Sequence, residues 1–194
     1  MAQPDYSQDL RSYLSASAQV TPDTALRNYV KTNYLTLADH SLPLRVPLEE
    51  VQHYIGKEVG VTKWFALTQS RMNQFADVTG DYQFLHIDRE RTSRETCYNG
   101  TISHGMLTLS LLTTFATNGS LKIQGTRQSI IYGLDKVRFL NPVRIGSRIR
   151  GRFRFISAEE RQPGEILMRH AATIEIENEE KPALIADWII LAVL

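Results

Sequence analysis

Residues 105–117, GMLTLSLLTTFAT, are apolar on nearly every side of a helix. A helix without a polar face must be covered all round. No other feature of the chain limits its fold as tightly. The residues able to cover it come afterwards. Segments 128–132, 134–141, 147–158, 165–177 and 183–194 read as strands, several alternating with period two. Asn-Pro, Pro-Gly and Asn-Glu-Glu-Lys-Pro separate them. Asn118-Gly119 closes the helix. One buried helix followed by about four strands predicts an α+β domain, with a sheet folded around a central helix.

Upstream the pattern is shorter-ranged. Residues 59–68 read as a strand. Residues 69–78 read as a short helix with Met72, Phe75 and Ala76 on one side. Thr79-Gly80-Asp81 breaks that helix, and 88–95 holds a helical turn. A boundary is expected near residue 55. Up to it Lys+Arg number 4 and Asp+Glu 6, a net −2; beyond it the counts are 18 and 15, a net +3. Residues 5–18 and 23–38 are expected to form two short helices, and Pro43 and Pro47 punctuate the stretch between the second helix and the boundary. The division is therefore a helical extension, 1–55, and a larger domain, 56–194. The extension is too short to bury a core of its own.

Composition removes several classes of function. A net charge of +1 argues against a strongly basic nucleic-acid binder. The longest apolar run is the seven residues Trp188 to Leu194, against the roughly 20 that a membrane span needs. The first residues, MAQPDYSQDL, show no secretory signal pattern. Cys97 is the only cysteine, which excludes an intrachain disulfide and fits a reducing, cytoplasmic compartment. Arg148, Arg150, Arg152 and Arg154 alternate with Ile149, Gly151, Phe153 and Phe155, so a strand would place four guanidiniums on one face. The expected use is a solvent-facing sheet surface paired with Glu175, Glu177 and their neighbours. The other use open to it is a phosphate contact.

The chemistry-bearing residues lie between Phe75 and Gly105. On a helix, Asp81 and His86 would diverge by about 140°. Gly80-Asp81 marks a turn, so a loop can bring both side chains to one point. A carboxylate beside an imidazole is a general acid–base pair. With no Ser or Cys at a nucleophile position, it suits activation of water. The same residues have structural uses: Asp81 as a turn cap and His86 in a polar pocket. His104-Gly105 opens the buried helix, where free N–H groups and a positive dipole end face outward. Gly105 lets a carbonyl approach its N–H as in an oxyanion hole. Alternatively it packs tightly against the sheet, with His104 as cap or filler.

Taken together, Gly80-Asp81-Tyr82-Gln83-Phe84-Leu85-His86 and Ile102-Ser103-His104-Gly105-Met106-Leu107 resemble the motif of the MaoC-like hydratases and dehydratases. That family includes the (R)-specific enoyl-CoA hydratases. The likeness is nearest to its nodulation protein N-like branch and covers about residues 56–194. Tyr132 to Phe139, Pro142-Val143 and Gly146-Ser147 are similar to the family's strand-turn-strand. The resemblance implies a hot-dog fold and a homodimer. It implies reversible addition of water to trans-2-enoyl thioesters of CoA or an acyl carrier protein, with the thioester as substrate and no further cofactor. Asp81 and His86 would hold and activate the water, and the Gly105 N–H would stabilise the enolate oxygen. His104 and Gln83 would flank the substrate, and Thr113 matches a helix serine that assists in the (R)-specific enzymes. Gln83-Phe84 stands where the family usually has Asn-Pro. A thioesterase and a non-catalytic acyl-CoA-binding protein are the alternatives on the same fold. No metal is expected, because the histidines at 40, 53, 86, 104 and 170 lack ligand spacing.

Overall fold

The computed structural model describes residues 43–194. The helices expected over 5–18 and 23–38 lie outside the described residues. Strand β1 (Arg45–Val46) leads into a 3-10 helix, Leu48–Tyr54. Strands β2 (Glu58–Val61) and β3 (Phe65–Ala66) follow. Helices α1 (Gln69–Thr79), α2 (Phe84–Ile87) and α3 (Arg89–Glu95) come next. The central rod is α4 (Gly105–Ser110) continued by α5 (Leu112–Gly119). After it run β4 (Lys122–Ile123), β5 (Gln128–Phe139), β6 (Arg148–Gln162), β7 (Glu165–Ile176) and β8 (Leu184–Val193).

The main sheet is antiparallel in the order β2-β6-β7-β8-β5, with β3 also on β6. β1 pairs in parallel with β4. On β7 burial alternates without a break, Ile166, Met168, His170, Ala172, Ile174 and Ile176 pointing inward. Leu112, Phe115 and Ala116 of α5 are buried, and α5 packs on β6 and β2 of the same sheet. The packing is closest where side chains are missing. A Cβ on Gly60 would come within 2.3 Å of the Gly119 carbonyl oxygen, and one on Gly151 within 2.6 Å of Phe115 Cβ. A long antiparallel sheet curled over one helix is the hot-dog arrangement that the resemblance implies. No helix among the described residues is long and apolar enough to cross a membrane.

Three local readings change. The strand expected over 59–68 is divided at Thr62, because the Gly151 N–H turns to the Thr62 hydroxyl at 2.9 Å. The strands expected over 128–132 and 134–141 are one strand, β5, with register shifts between Ile131 and Gly133 and between Asp135 and Arg138. The punctuation there marks bulges, and Lys136 sits in one of them at φ 51°. The helix expected over 105–117 has a joint at Leu111. Ser110 Oγ donates to the Leu107 carbonyl at 2.8 Å, the same acceptor that the Leu111 N–H uses at 3.2 Å. The Phe115 N–H then bonds the Leu111 carbonyl at 3.0 Å, so the rod continues.

Arg148, Arg150 and Arg152 of the arginine stripe form a paired outer face. Arg148 meets Glu177, Arg150 meets Glu175, and Arg152 meets both Glu175 and Glu58. Arg150 also lies 4.3 Å over the Trp64 ring. Ile149, Gly151, Phe153 and Phe155 take the buried side.

Candidate active site

Asp81, His86 and His104 converge. Thr68 caps α1, and Gly80 ends it in the left-handed region at φ 72°. Asp81 follows outside the helix. Its Oδ1 accepts the Gln83 N–H at 3.3 Å, an Asx-type turn that fixes the carboxylate. Where a loop is expected through residue 87, the four-residue helix α2 begins at Phe84 and carries His86 inward. His86 is buried, and Asp81 stays 53% exposed at its side chain.

The hydrogen bonds assign the tautomers. His86 Nδ1 lies 2.8 Å from the Ile102 carbonyl, which only accepts. The proton is therefore on Nδ1, and Nε2 carries a bare lone pair. His104 is the reverse: Nε2 donates to the Asp81 carbonyl at 3.0 Å, and buried Nδ1 has no protein partner. The two rings stack with centroids 3.8 Å apart at 26°, and Phe75 packs on His104 at 5.1 Å. Burial pushes the His86 pKa below its ordinary value, and His104 adds to that. The Ile102 bond and Asp81 oppose it. His86 is thus a neutral acceptor at pH 7.

Ligand atoms of Asp81, His86 and His104 lie within 4.8 Å of one another. A water at ordinary hydrogen-bond length reaches two groups so spaced. The same atoms are candidates for a metal ion. However, two imidazoles stacked nearly face to face send their in-plane lone pairs side by side and not to one point. The donor set fits a shared water or substrate oxygen better than a metal.

Gly105 begins α4, so its N–H has no intrahelical acceptor. The space beside its Cα is filled by protein, although the residue itself is exposed. A Cβ there would stand 3.1 Å from Phe139 Cε1. The packing use of this glycine is realised, and its amide remains at the positive end of the rod.

Three comparisons agree on the family and the fold. The model of the MaoC-like domain matches residues 50–175, which take in the whole cluster. The chain belongs to the MaoC-like domain family. It is 42% identical to a nodulation protein N of Rhizobium meliloti, over 76% of this chain and 91% of that protein. It is 38% identical to 3-hydroxyacyl-thioester dehydratase Z of Mycobacterium tuberculosis, over 70% and 88%. A solved structure, the (R)-hydratase of A. caviae involved in PHA biosynthesis, superposes with TM-score 0.57 at 20% identity. It covers 70% of this chain and 94% of that one. That likeness concerns the fold.

Within this MaoC-like chain, Gln83 contributes its backbone: the N–H to Asp81 and the carbonyl to the His86 N–H at 2.9 Å. Thr113 stands apart. It is exposed on α5, about 12 Å of helix rise beyond Gly105. Sequence reasoning missed Gln69. Its Nε2 donates to the His86 carbonyl at 2.7 Å, and its Oε1 accepts from Thr101 Oγ1 at 2.7 Å. One amide thereby ties the two histidine-bearing segments together. Nothing local marks it, because a glutamine after an N-cap threonine is ordinary helix sequence.

Proposed function

We propose that this protein is a hydro-lyase that reversibly adds water to trans-2-enoyl thioesters of CoA or an acyl carrier protein. The observation that carries this reading is the convergence of Asp81, neutral His86 and His104, whose ligand atoms lie within 4.8 Å of one another, a span that one water bridges. The water's hydroxyl goes to C3. Its proton passes to His86 Nε2, while Asp81 accepts a hydrogen bond from the O–H that the hydroxyl keeps and faces the imidazolium that forms. The imidazolium then returns the proton to C2, so one H and one OH have been added. The Gly105 N–H, at the positive end of α4, receives the thioester oxygen as negative charge develops there. The dehydratase relative supports the reaction class.

Asp81→Asn and His86→Ala should each lower crotonyl-CoA hydration by about 10²-fold or more, followed as loss of enoyl-thioester absorbance. Wild-type turnover in both variants rejects the assignment. Release of free thiol from a saturated acyl-CoA would point to a thioesterase instead. We also infer a homodimer formed through β5. It is an edge strand twelve residues long that exposes Ile131, Tyr132 and Leu134. Light scattering on the full chain tests this, and a monomer at micromolar concentration refutes it.

A further inference from the structure

The ring that fills the space at Gly105 has a free face. Cε1, Cδ1 and Cζ of Phe139 would lie 3.1, 3.2 and 3.4 Å from a Cβ on Gly105, so one edge of the ring rests on the start of α4. Phe139 is the last residue of β5, in register with fully buried Leu184 and hence on the inner face of the sheet. An inward aromatic at that position should be covered, yet Phe139 is 52% exposed. Met106, the next residue of the helix, is 59% exposed. Two large apolar side chains are therefore uncovered next to Gly105, one against its Cα and one following it in the chain.

The placement is braced. The Leu140 N–H bonds the Ala183 carbonyl at 2.8 Å, immediately after Phe139. The Ser103 N–H bonds the Val143 carbonyl at 2.7 Å, and the Ile145 N–H bonds the Thr101 carbonyl at 3.0 Å. The segment after Phe139 is thus fastened to the residues that lead into His104 and Gly105.

We propose that Phe139 is a substrate-contacting residue. Its open face packs on the acyl carbons next to the thioester, and its edge keeps water from the Gly105 N–H. A donor shielded from water acts more strongly on developing charge. The ligand's identity rests on the hydratase reading above, and the contact itself rests on the exposed ring.

Calorimetry on the full chain separates the two. Butyryl-CoA has no double bond to hydrate, so its Kd is measured without turnover, and CoA alone is the control. Phe139→Ala should raise the Kd for butyryl-CoA about tenfold and leave that for CoA unchanged. Phe139→Leu should recover part of the loss, and Phe139→Tyr most of it. If the alanine variant does not fold, the leucine–tyrosine difference is the reading. An unchanged Kd overturns the proposal, whatever the hydration rates. So does a wild type that binds butyryl-CoA no better than CoA, or a changed oligomeric state in Phe139→Ala, which would assign the ring to a contact between copies. If the Kd rises as expected and crotonyl-CoA is not hydrated by the wild type, the seat stands and the hydratase reading falls.

Discussion

Replacing His170 with phenylalanine should make the protein markedly less sensitive to acid. His170 lies on the inner face of β7 and is 0% exposed. The edges of Phe155, at 5.1 Å, and Phe153, at 6.5 Å, pack around it. Neither ring nitrogen has a hydrogen-bond partner, and Nε1 of Trp188, its cross-strand neighbour, has none either. Burial, with the Lys122 cation adding to it, lowers the His170 pKa to about 3. In the unfolded chain the value is about 6.5. Above pH 6.5 both states are neutral and the residue contributes no pH dependence. Below it the unfolded state takes up a proton that the folded state refuses. Stability then falls as the pH drops, from 6.5 towards 3. Between pH 7.5 and pH 5 the loss from this one residue is about 2 kcal/mol. His170→Phe removes the proton uptake and two unsatisfied nitrogens. At pH 7.5 the gain from lost polar burial and the crowding of a larger ring should roughly cancel. Urea unfolding followed by circular dichroism at pH 7.5, 6 and 5 supplies the comparison. Most carboxylates titrate below this window. His86, also held below its ordinary pKa, leaves a residual slope in the variant. If the variant loses as much stability as the wild type between pH 7.5 and 5, the reasoning is refuted.

Gln69→Leu should lower kcat for crotonyl-CoA about tenfold with little change in KM, because it releases the His86 carbonyl and Thr101 together. Its cost in stability should be about 1–3 kcal/mol by chemical denaturation, and an unaltered kcat would show that the brace does not set the histidine spacing. Gly60→Ala should destabilise by about 3 kcal/mol or more, since its Cβ would meet the backbone oxygen of Gly119 at 2.3 Å, where no side chain can yield. A Tm within a degree of wild type would contradict that packing. The lowered pKa of His86 places the acid limb of kcat/KM below pH 6.5, and a limb at or above 6.5 would remove His86 as the neutral base.

The elements that were legible in the sequence are those whose own residues determine them. The rod from Gly105 announces a core helix, although the cover expected all round it is incomplete: Met106, Ser110, Thr113 and Thr117 leave one stripe exposed. β7 alternates strictly and announces its environment in one dimension. Arg148, Arg150 and Arg152 could be assigned to an outer face because the strand period carries that information. Asp81, His86 and His104 could be grouped through the resemblance to the family motif, since the turn signal and the helix start alone left structural uses open for each. What was not legible depends on partners distant in the chain. The split at Thr62 needs the Gly151 N–H, 89 residues away. The brace at Gln69 needs Thr101, and the exposure of Phe139 needs the course of α4 beneath it. Lone glycines carry the same ambiguity. Gly105 leaves room for a substrate carbonyl at its N–H and for a ring at its Cα, and only the position of Phe139 shows that a ring stands where a Cβ would.

The departure at Gln83-Phe84 shows how such a site can keep its geometry under substitution. The family usually has proline where Phe84 stands, at the first residue of α2. Proline suits that position, since its fixed φ favours a helix start and its missing N–H is not needed there. Phe84 gives up this stiffness, and the structure supplies other restraints. The Arg91 guanidinium lies 4.0 Å over the Phe84 ring. The Phe84 carbonyl accepts from the Asp88 N–H at 2.9 Å and from Thr92 Oγ1 at 3.0 Å. Asp88 caps α3 through the Arg91 N–H at 2.9 Å, so one short helix clamps the next. Proline limits the turn before folding, by narrowing the unfolded ensemble. A clamped phenylalanine limits it only once α3 has packed. The bearing of His86 is then held by side chains two turns further along the chain, and α3 becomes part of what positions that imidazole.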